Sequence, residues 1–469
     1  MPTPTIIEAA QALYRGHNVE EISRSDADAI NLSMTTEAIG RIIDESKQNH
    51  QKSICLITGV PGSGKTLAGL NIANQRHKFA ENEHAVFLSG NQPLVDVLQE
   101  ALARDDHEHS DIPKSVALRN AKAFIQIIHH FRDDAITTTK APIEKVIIFD
   151  EAQRAWDYKT LESFMAQKKG IHDFRMSEPE FLISVMDRHQ DWAVIICLIG
   201  GGQEINTGEA GLQEWFSALK NSYRNWHLFI SNQLSDSEYV GNKNLDELLN
   251  GLKYTIEKDL HLSVSLRSFR SERVSGFVKA LLDVDIVQAQ SLYSELKPVY
   301  PIVVTRDFEK AKAWIKAHAR GTERYGITAS SGAKRLKKYG IWTQSKIDAK
   351  HWFLNGKEDV RSSYFLEDTA TEFDIQGLEL DWAVVCWDAN LRFNDGTFHY
   401  FDFKGAKWQR VNQEIAQKYL KNAYRVLLTR ARQGFVIFIP RGDQNDYSRP
   451  SEYYDGAYRY LTSIGIEEI

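Results

Sequence analysis

The chain has 469 residues, of which 42% are apolar and 26% charged, enough for two or three domains with sizeable cores. A formal net charge of -6 gives no global attraction for a polyanion, so nucleic acid would have to be held by local basic clusters. No run of about 18 or more apolar residues occurs, and "MPTPTIIEAAQALYRG" lacks a basic stretch followed by an apolar one. Neither a membrane-spanning helix nor a signal peptide is therefore expected.

In chain order, the first structural signal is "SICLITG" (53–59), an apolar run that reads as a strand buried on both faces. It feeds "GVPGSGKT", residues 59–66, which fits G-x-x-x-x-G-K-[ST] in full, and "KTLAGLNIANQRHKF" beyond it has helical spacing. Strand, glycine-rich loop and helix in that order are the context a phosphate-binding loop requires. Gly59, Val60, Pro61, Gly62, Ser63 and Gly64 would wrap ATP phosphates, the glycines letting the backbone N–H groups point inward. Lys65 would reach the β and γ phosphates, and the Thr66 hydroxyl would coordinate Mg2+.

"AVFLSG" (85–90) is a second strand, followed by the helical "PLVDVLQEALARD". The charged "RDDHEH" (104–109) reads as an exposed loop rather than a nuclease metal site. "VIIFDEAQRAWD" (146–157) then runs four apolar residues into two adjacent carboxylates. A buried strand ending this way is costly unless the carboxylates hold a metal, position a water or face solvent. Downstream of a phosphate loop it reads as a Walker B strand: Asp150 holds Mg2+, and Glu151 orients or deprotonates the attacking water. The polar stretch 156–180 reads as an insertion or long loop. "WAVIICLIGGGQE" (192–204) adds another buried strand and places Gln203 where an amide can report the γ-phosphate.

A polar, turn-rich segment, "SNQLSDSEYVGNKNLDELLNG", separates these strands from a second group: "PIVVT", "YGITAS", "WAVVCWD" and "GFVIFIP". Helix-like "DFEKAKAWIKAHAR" and "EIAQKYLKNAYRVLLTRAR" lie between them. The alternation predicts an α/β fold of two lobes with parallel sheets, divided as 1–258 and 259–469. Cys55, Cys197 and Cys386 sit in such runs and read as buried strand thiols, which suits a reducing, cytoplasmic compartment. The second lobe brings arginines: Arg267 and Arg270 in "SLRSFRSERV", and Arg425, Arg430 and Arg432 on a helix feeding the final strand.

Taken in order, "GVPGSGKT", "FDEAQ", "IGGGQE", "SFRS", "EFDIQGLELD" and "YRVLLTRAR" resemble the motif series of superfamily 1 helicases. More narrowly, "FDEAQRAWD", "IGGGQEINTGEAGLQEW" and "EFDIQGLELDWAVVCWD" resemble the bacterial Schlafen-like helicase-domain family of unassigned function, over about residues 5 to 440. The resemblance implies two RecA-like P-loop lobes with ATP in the cleft between them. It also implies Gln203 as γ-phosphate sensor, Arg270 and Arg430 as arginine fingers, and Glu379 against the ribose. The implied activity is Mg-dependent ATP hydrolysis that drives translocation on, or unwinding of, DNA or RNA. The alternative is an ATP-driven switch that licenses a partner nuclease or effector, in defence against phage, without unwinding. A small-molecule phosphotransferase fits poorly with the arginine-bearing second lobe. "NLSMTTEAIGRI" has no glutamine where the adenine-reading motif is expected, and the segments between motifs are short. The 58 residues before Gly59 are too few for the effector domain that relatives carry there, so an effector is expected as a separate protein or on a longer product.

Candidate contacts for single-stranded DNA or RNA are "SGNQPL" (89–94), Trp156, Thr371 and the stretch 404–432, where eight basic residues face one acidic residue with Trp408 and Tyr419 interleaved. A smaller basic cluster is "AKRLKKYG" (333–340). A solvated helix face and core aromatics are the competing readings of these positions.

Overall fold

All eight apolar runs named above become strands in the computed structural model. The structure describes residues 5–17, 26–59, 63–79, 84–200, 211–235, 244–263 and 269–469, without the side chains of 26–29, 77–79 and 269–272. The chain forms two compact units, Met1–Arg267 and Ser268–Ile469.

The first unit is built on β1 (Lys52–Gly59), β2 (Ala85–Ser89), β3 (Ile125–Ile127), β4 (Val146–Asp150), β5 (Ala193–Leu198), β6 (His227–Ile230), β7 (Lys253–Ile256) and β8 (His261–Leu262). Seven of them line up as β3-β2-β4-β5-β1-β6-β7, and β8 pairs with the end of β1. Every pairing is parallel. Central strands of a parallel sheet are covered on both faces, so both side-chain rows are apolar and the two-residue alternation disappears. Cys55 of β1, for instance, lies between Ile196 of β5 and Phe229 of β6. Parallel pairing also makes β4, β5 and β1, three neighbours, end at one edge of the sheet.

Pairing of β8 with Thr58 and Gly59 keeps residues 261–262 in the first unit. The division therefore falls at 267/268, beyond the 258/259 expected.

The second unit contains β9 (Ile302–Thr305), β10 (Tyr325–Ala329), β11 (Thr369–Ala370), β12 (Leu380–Cys386), β13 (Leu391–Asn394), β14 (Thr397–Lys404), β15 (Lys407–Arg410), β16 (Ala431–Phe438) and β17 (Glu467–Glu468). Six form a parallel sheet in the order β11-β10-β12-β16-β9-β17, while β13-β14-β15 make a separate antiparallel sheet. The two units are thus the RecA-like α/β lobes expected, the second with a small antiparallel addition. All three cysteines are buried strand thiols, Cys55 in β1, Cys197 in β5 and Cys386 in β12. No described helix is long and apolar enough to cross a membrane.

Three local expectations are corrected. "RDDHEH" is the end of the helix Gln92–His109 rather than a loop, and Asp105 is buried there, accepting from Arg15 Nε at 2.7 Å. Much of 156–180 is helical, with Tyr158–Phe164 running into a wide turn at Met165–Lys169 that Gly170 ends. Finally, the helix Glu414–Thr429 stops before the last two arginines of its motif: Arg430 is its C-cap and Arg432 already belongs to β16.

Candidate active site

The phosphate loop leaves β1 at Gly59 and the helix Lys65–Phe79 starts at Lys65. A Cβ on Gly59 would come within 2.5 Å of Ser63 Oγ and 2.8 Å of Leu262 Cβ, so β8 packs too closely for any side chain there. Lys65 Nζ donates to Gly59 O at 2.7 Å, which holds the ammonium across the loop. Ser63 Oγ is buried with no hydrogen-bond partner among the described residues, an acceptor-poor position suited to an anion's oxygens. Gly64 adopts φ +81. Val60, Pro61 and Gly62 lie outside the described residues.

Thr66, at the second position of that helix, donates to both Asp150 oxygens at 3.2 and 3.3 Å. Asp150 is the last residue of β4 and is 3% exposed. Burial, and then the Glu151 charge, push its carboxyl up to about 7, against the pull of the Thr66 hydroxyl and Lys65. A buried carboxylate facing a hydroxyl, with a second acid next to it, calls for a cation. Hard oxygen donors of this kind suit Mg2+, which needs few protein ligands. The site residues therefore fit the ion that the sequence motifs imply.

Glu151 does not continue the strand. It adopts φ 54, ψ 46, the left-handed region, at a cost of about 1–2 kcal/mol for a residue with a Cβ. Strand geometry would point consecutive side chains to opposite faces; the left-handed step re-aims Glu151. What holds it is Gln153, whose Nε2 donates to Glu151 Oε2 while its Oε1 accepts from Gly200 N at 3.0 Å. The Gln153 carbonyl accepts from Gly211 N at 3.0 Å, and Ala152 O accepts from Trp215 Nε1 at 3.0 Å. Gly200, Gly211 and Trp215 are thus all bonded to residues 152 and 153. A Cβ at Gly200 would lie 2.9 Å from Glu151 Oε2, so the glycine after β5 makes room for the carboxylate. Gln203 falls within the segment that lies outside the described residues. Gln153 was missed from sequence, although an amide two residues past a paired carboxylate, between Ala152 and Arg154, is a readable signal.

In the second unit, Glu379 and Arg430 come together from motifs 51 positions apart. Leu380 N donates to Arg430 O at 3.1 Å, and Leu380 pairs with Ala431, so both residues stand just ahead of neighbouring parallel strands, β12 and β16. Arg430 is 6% exposed, and Glu379 is half-buried. Arg270 lies at the start of the helix Phe269–Asp283, its side chain undescribed, and Arg267 is outside the described residues.

Thr371 caps its own short helix, its hydroxyl and N–H both donating to Asp374. Beside it Glu372, 3% exposed, accepts from Ser331 N and Oγ, each at 2.7 Å. Of the other candidate nucleic-acid contacts, Asn91 caps the helix Gln92–His109. Trp156 packs on His129 and Phe164, at 5.1 and 5.2 Å between ring centroids, above the buried Arg132. The stretch 404–432 is divided between the β14–β15 hairpin, the helix Glu414–Thr429 and the start of β16.

Residues 52–441 match the model of a family described as Schlafen group 3, DNA/RNA helicase domain. No curated protein matches the chain. Among solved structures, the Hef helicase domain of Pyrococcus furiosus is 12% identical with a TM-score of 0.29, and the match covers 86% of this chain and 95% of that one. The DUF1998 helicase MrfA bound to DNA and AMPPNP is 12% identical with a TM-score of 0.33, covering 99% of this chain and 57% of that one. MrfA bound to DNA is 11% identical with a TM-score of 0.31, covering 95% and 53%. This chain thus spans little more than half of the MrfA chains, and none of the three superposes closely on it.

Proposed function

This chain belongs to the Schlafen group 3, DNA/RNA helicase domain family, and from that premise we propose a nucleic-acid-dependent ATPase acting as a superfamily 1-type helicase or translocase in the cytoplasm. The observation that carries the proposal is the meeting of Thr66 and Asp150 at 3.2–3.3 Å, with Glu151 turned against Gln153 at the next residue. Residues 59–66 take the ATP phosphates, with Lys65 on the β and γ groups. Thr66 and Asp150 hold Mg2+, which when bound neutralises charge building on the phosphates. Glu151 accepts the proton of the attacking water, and Gln203 reads the γ-phosphate. Arg270 and Arg430 stabilise charge on the transferred phosphoryl, an effect worth roughly 10³- to 10⁵-fold in rate. Glu379 takes the ribose.

Steady-state ATP hydrolysis, with and without single-stranded DNA and RNA at low and moderate salt, tests this reading. Strong stimulation by one polymer supports it and names the track. Turnover indifferent to both refutes it and leaves the ATP-driven switch acting on a separate or fused effector.

A further inference from the structure

Three loops leave the C-terminal ends of adjacent parallel strands in the second unit: 330–342 after β10, 387–413 around the hairpin after β12, and 439–451 after β16. Ligands of parallel α/β sheets gather at that edge. Side-chain bonds tie the three loops into one surface. Fully buried Asp388 accepts from Arg335 N at 2.8 Å and from Tyr454 OH at 3.0 Å. Lys334 Nζ donates to Asp402 Oδ1 at 2.9 Å, across 68 positions of sequence. Trp408 Nε1 donates to Ser448 O at 2.8 Å, and Tyr447 OH to Ala406 O at 3.1 Å.

The two basic clusters that the sequence keeps apart are therefore neighbours. Segments 333–340, 402–410 and 441–449 carry nine Lys and Arg against three Asp. Those three, Asp402, Asp443 and Asp446, are already engaged by Lys334, Lys338 and Arg335. Lys337, Lys407, Arg410 and Arg441 are exposed and have no carboxylate partner among the described residues. Between the cations stand exposed rings: Trp342 is 39% exposed and Tyr447 72%. Lys337 Nζ sits 4.0 Å from the Trp342 ring centroid, and the Arg335 guanidinium 5.0 Å from that of Phe403.

Cations interleaved with exposed rings suit a single strand, whose phosphates meet the charges while its bases stack on aromatic side chains. An anionic membrane would want a larger apolar face than two exposed rings. We propose that the β14–β15 hairpin, with loops 333–342 and 441–449, is a binding surface for single-stranded nucleic acid. The proposal rests on the reading of the chain as a nucleic-acid-dependent ATPase. Glu379 and Arg430 precede β12 and β16, at the opposite ends of these strands, so the polymer leaves the proposed nucleotide residues of this unit uncovered.

The test is fluorescence anisotropy of the full chain with labelled oligo-dT and oligo-U of about 20 nucleotides, for the wild type and the double variant Lys407→Gln/Arg410→Gln. Removing two phosphate contacts should lower the slope of log affinity against log salt by about 1.4, so between about 50 and about 200 mM salt the wild type loses about 7-fold more affinity than the variant. Binding of a fluorescent ATP analogue should be the same in both. The control Lys310→Gln/Lys316→Gln, on the helix Phe308–His318, should follow the wild type. Equal slopes for wild type and hairpin variant overturn the surface while leaving the ATPase reading intact. Equal losses in hairpin and control variants also overturn it, because the effect is then net charge alone. Reduced binding to phosphatidylserine vesicles with unchanged oligonucleotide binding reassigns the surface to a membrane. A wild type that binds neither oligonucleotide removes the ATPase reading and this surface together.

Discussion

Gln153 gives the sharpest test of how this site is held. It is 4% exposed, donates to Glu151 and accepts from Gly200 N at 3.0 Å, and makes no hydrogen bond to the phosphate loop among the described residues. Gln153→Glu keeps an acceptor for the Gly200 N–H but removes the donor to Glu151 and sets a carboxyl in its place. A hydrogen bond to a charged group contributes about 1.5–3 kcal/mol. If it is spent on positioning the base, kcat should fall by about 10- to 150-fold, with KM for ATP unchanged. Gln153→Ala should lower kcat similarly and also cost stability, because the buried Gly200 N–H loses its partner, about 1–3 kcal/mol. Nucleic-acid-stimulated ATP turnover, fluorescent-analogue binding and urea unfolding separate the two effects. Gln153→Glu turning over at the wild-type rate would refute the positioning role. A Gln153→Ala variant that unfolds earlier yet keeps its kcat would reduce Gln153 to a structural bridge.

Other consequences can be checked independently. Glu151→Gln should bind ATP normally while turnover drops by about 10²- to 10⁴-fold; undiminished turnover would take Glu151 out of the base role. Burial, and then the charge of Arg132, pull His129 from 6.5 down to about 4. Its proton binds more readily in the unfolded chain, so stability present above about pH 6.5 is lost as pH falls toward 4. His129→Phe should therefore show a smaller drop in Tm between about pH 7 and about pH 4.5, and an unchanged drop would place that acid sensitivity elsewhere. Asp388→Ala leaves Arg335 N, Ala389 N and Tyr454 OH without their acceptor, which should destabilise the second unit by about 3 kcal/mol or more. A loss under about 1 kcal/mol in urea unfolding would mean that the three loops are not held through this carboxylate.

The sequence makes the parallel strands legible because a strand covered on both faces is a continuous apolar run. "SICLITG" and "VIIFD" announce themselves without any pattern of alternation. The motif ends are equally legible, since Gly59, Thr66 and Asp150 are set by spacing along two strands and one helix. The small antiparallel sheet is harder to read. β14, "TFHYFDFK", is half-exposed along most of its length, so it mixes aromatic and charged residues. Its best local clue is Asp395-Gly396, both at positive φ, the signature of a tight hairpin turn. Long-range pairings are not legible at all. Nothing near Lys334 announces Asp402, and nothing near Asp105 announces Arg15. The "RDDHEH" misreading follows directly, because a charge run reads as solvated until its buried partner is known.

Two adjacent carboxylates can divide one task only if the backbone separates them. Asp150 finishes β4 and stays in the sheet's frame, facing the Thr66 hydroxyl on the helix that β1 feeds. Had Glu151 continued the strand, its side chain would have crossed to the other face. The left-handed step at Glu151 carries the chain out of the sheet instead, and Gln153 ties the re-aimed carboxylate to the end of β5. β5 lies between β4 and β1, and Gly200, two residues past its end, is joined to Glu151 through one amide. Residues 152 and 153 also anchor Gly211 and Trp215, beyond the segment that contains Gln203. Gly200, Gly211 and Trp215 are thus joined to the proposed base through residues 152 and 153, while Asp150 and Thr66 hold each other from β4 and the helix Lys65–Phe79.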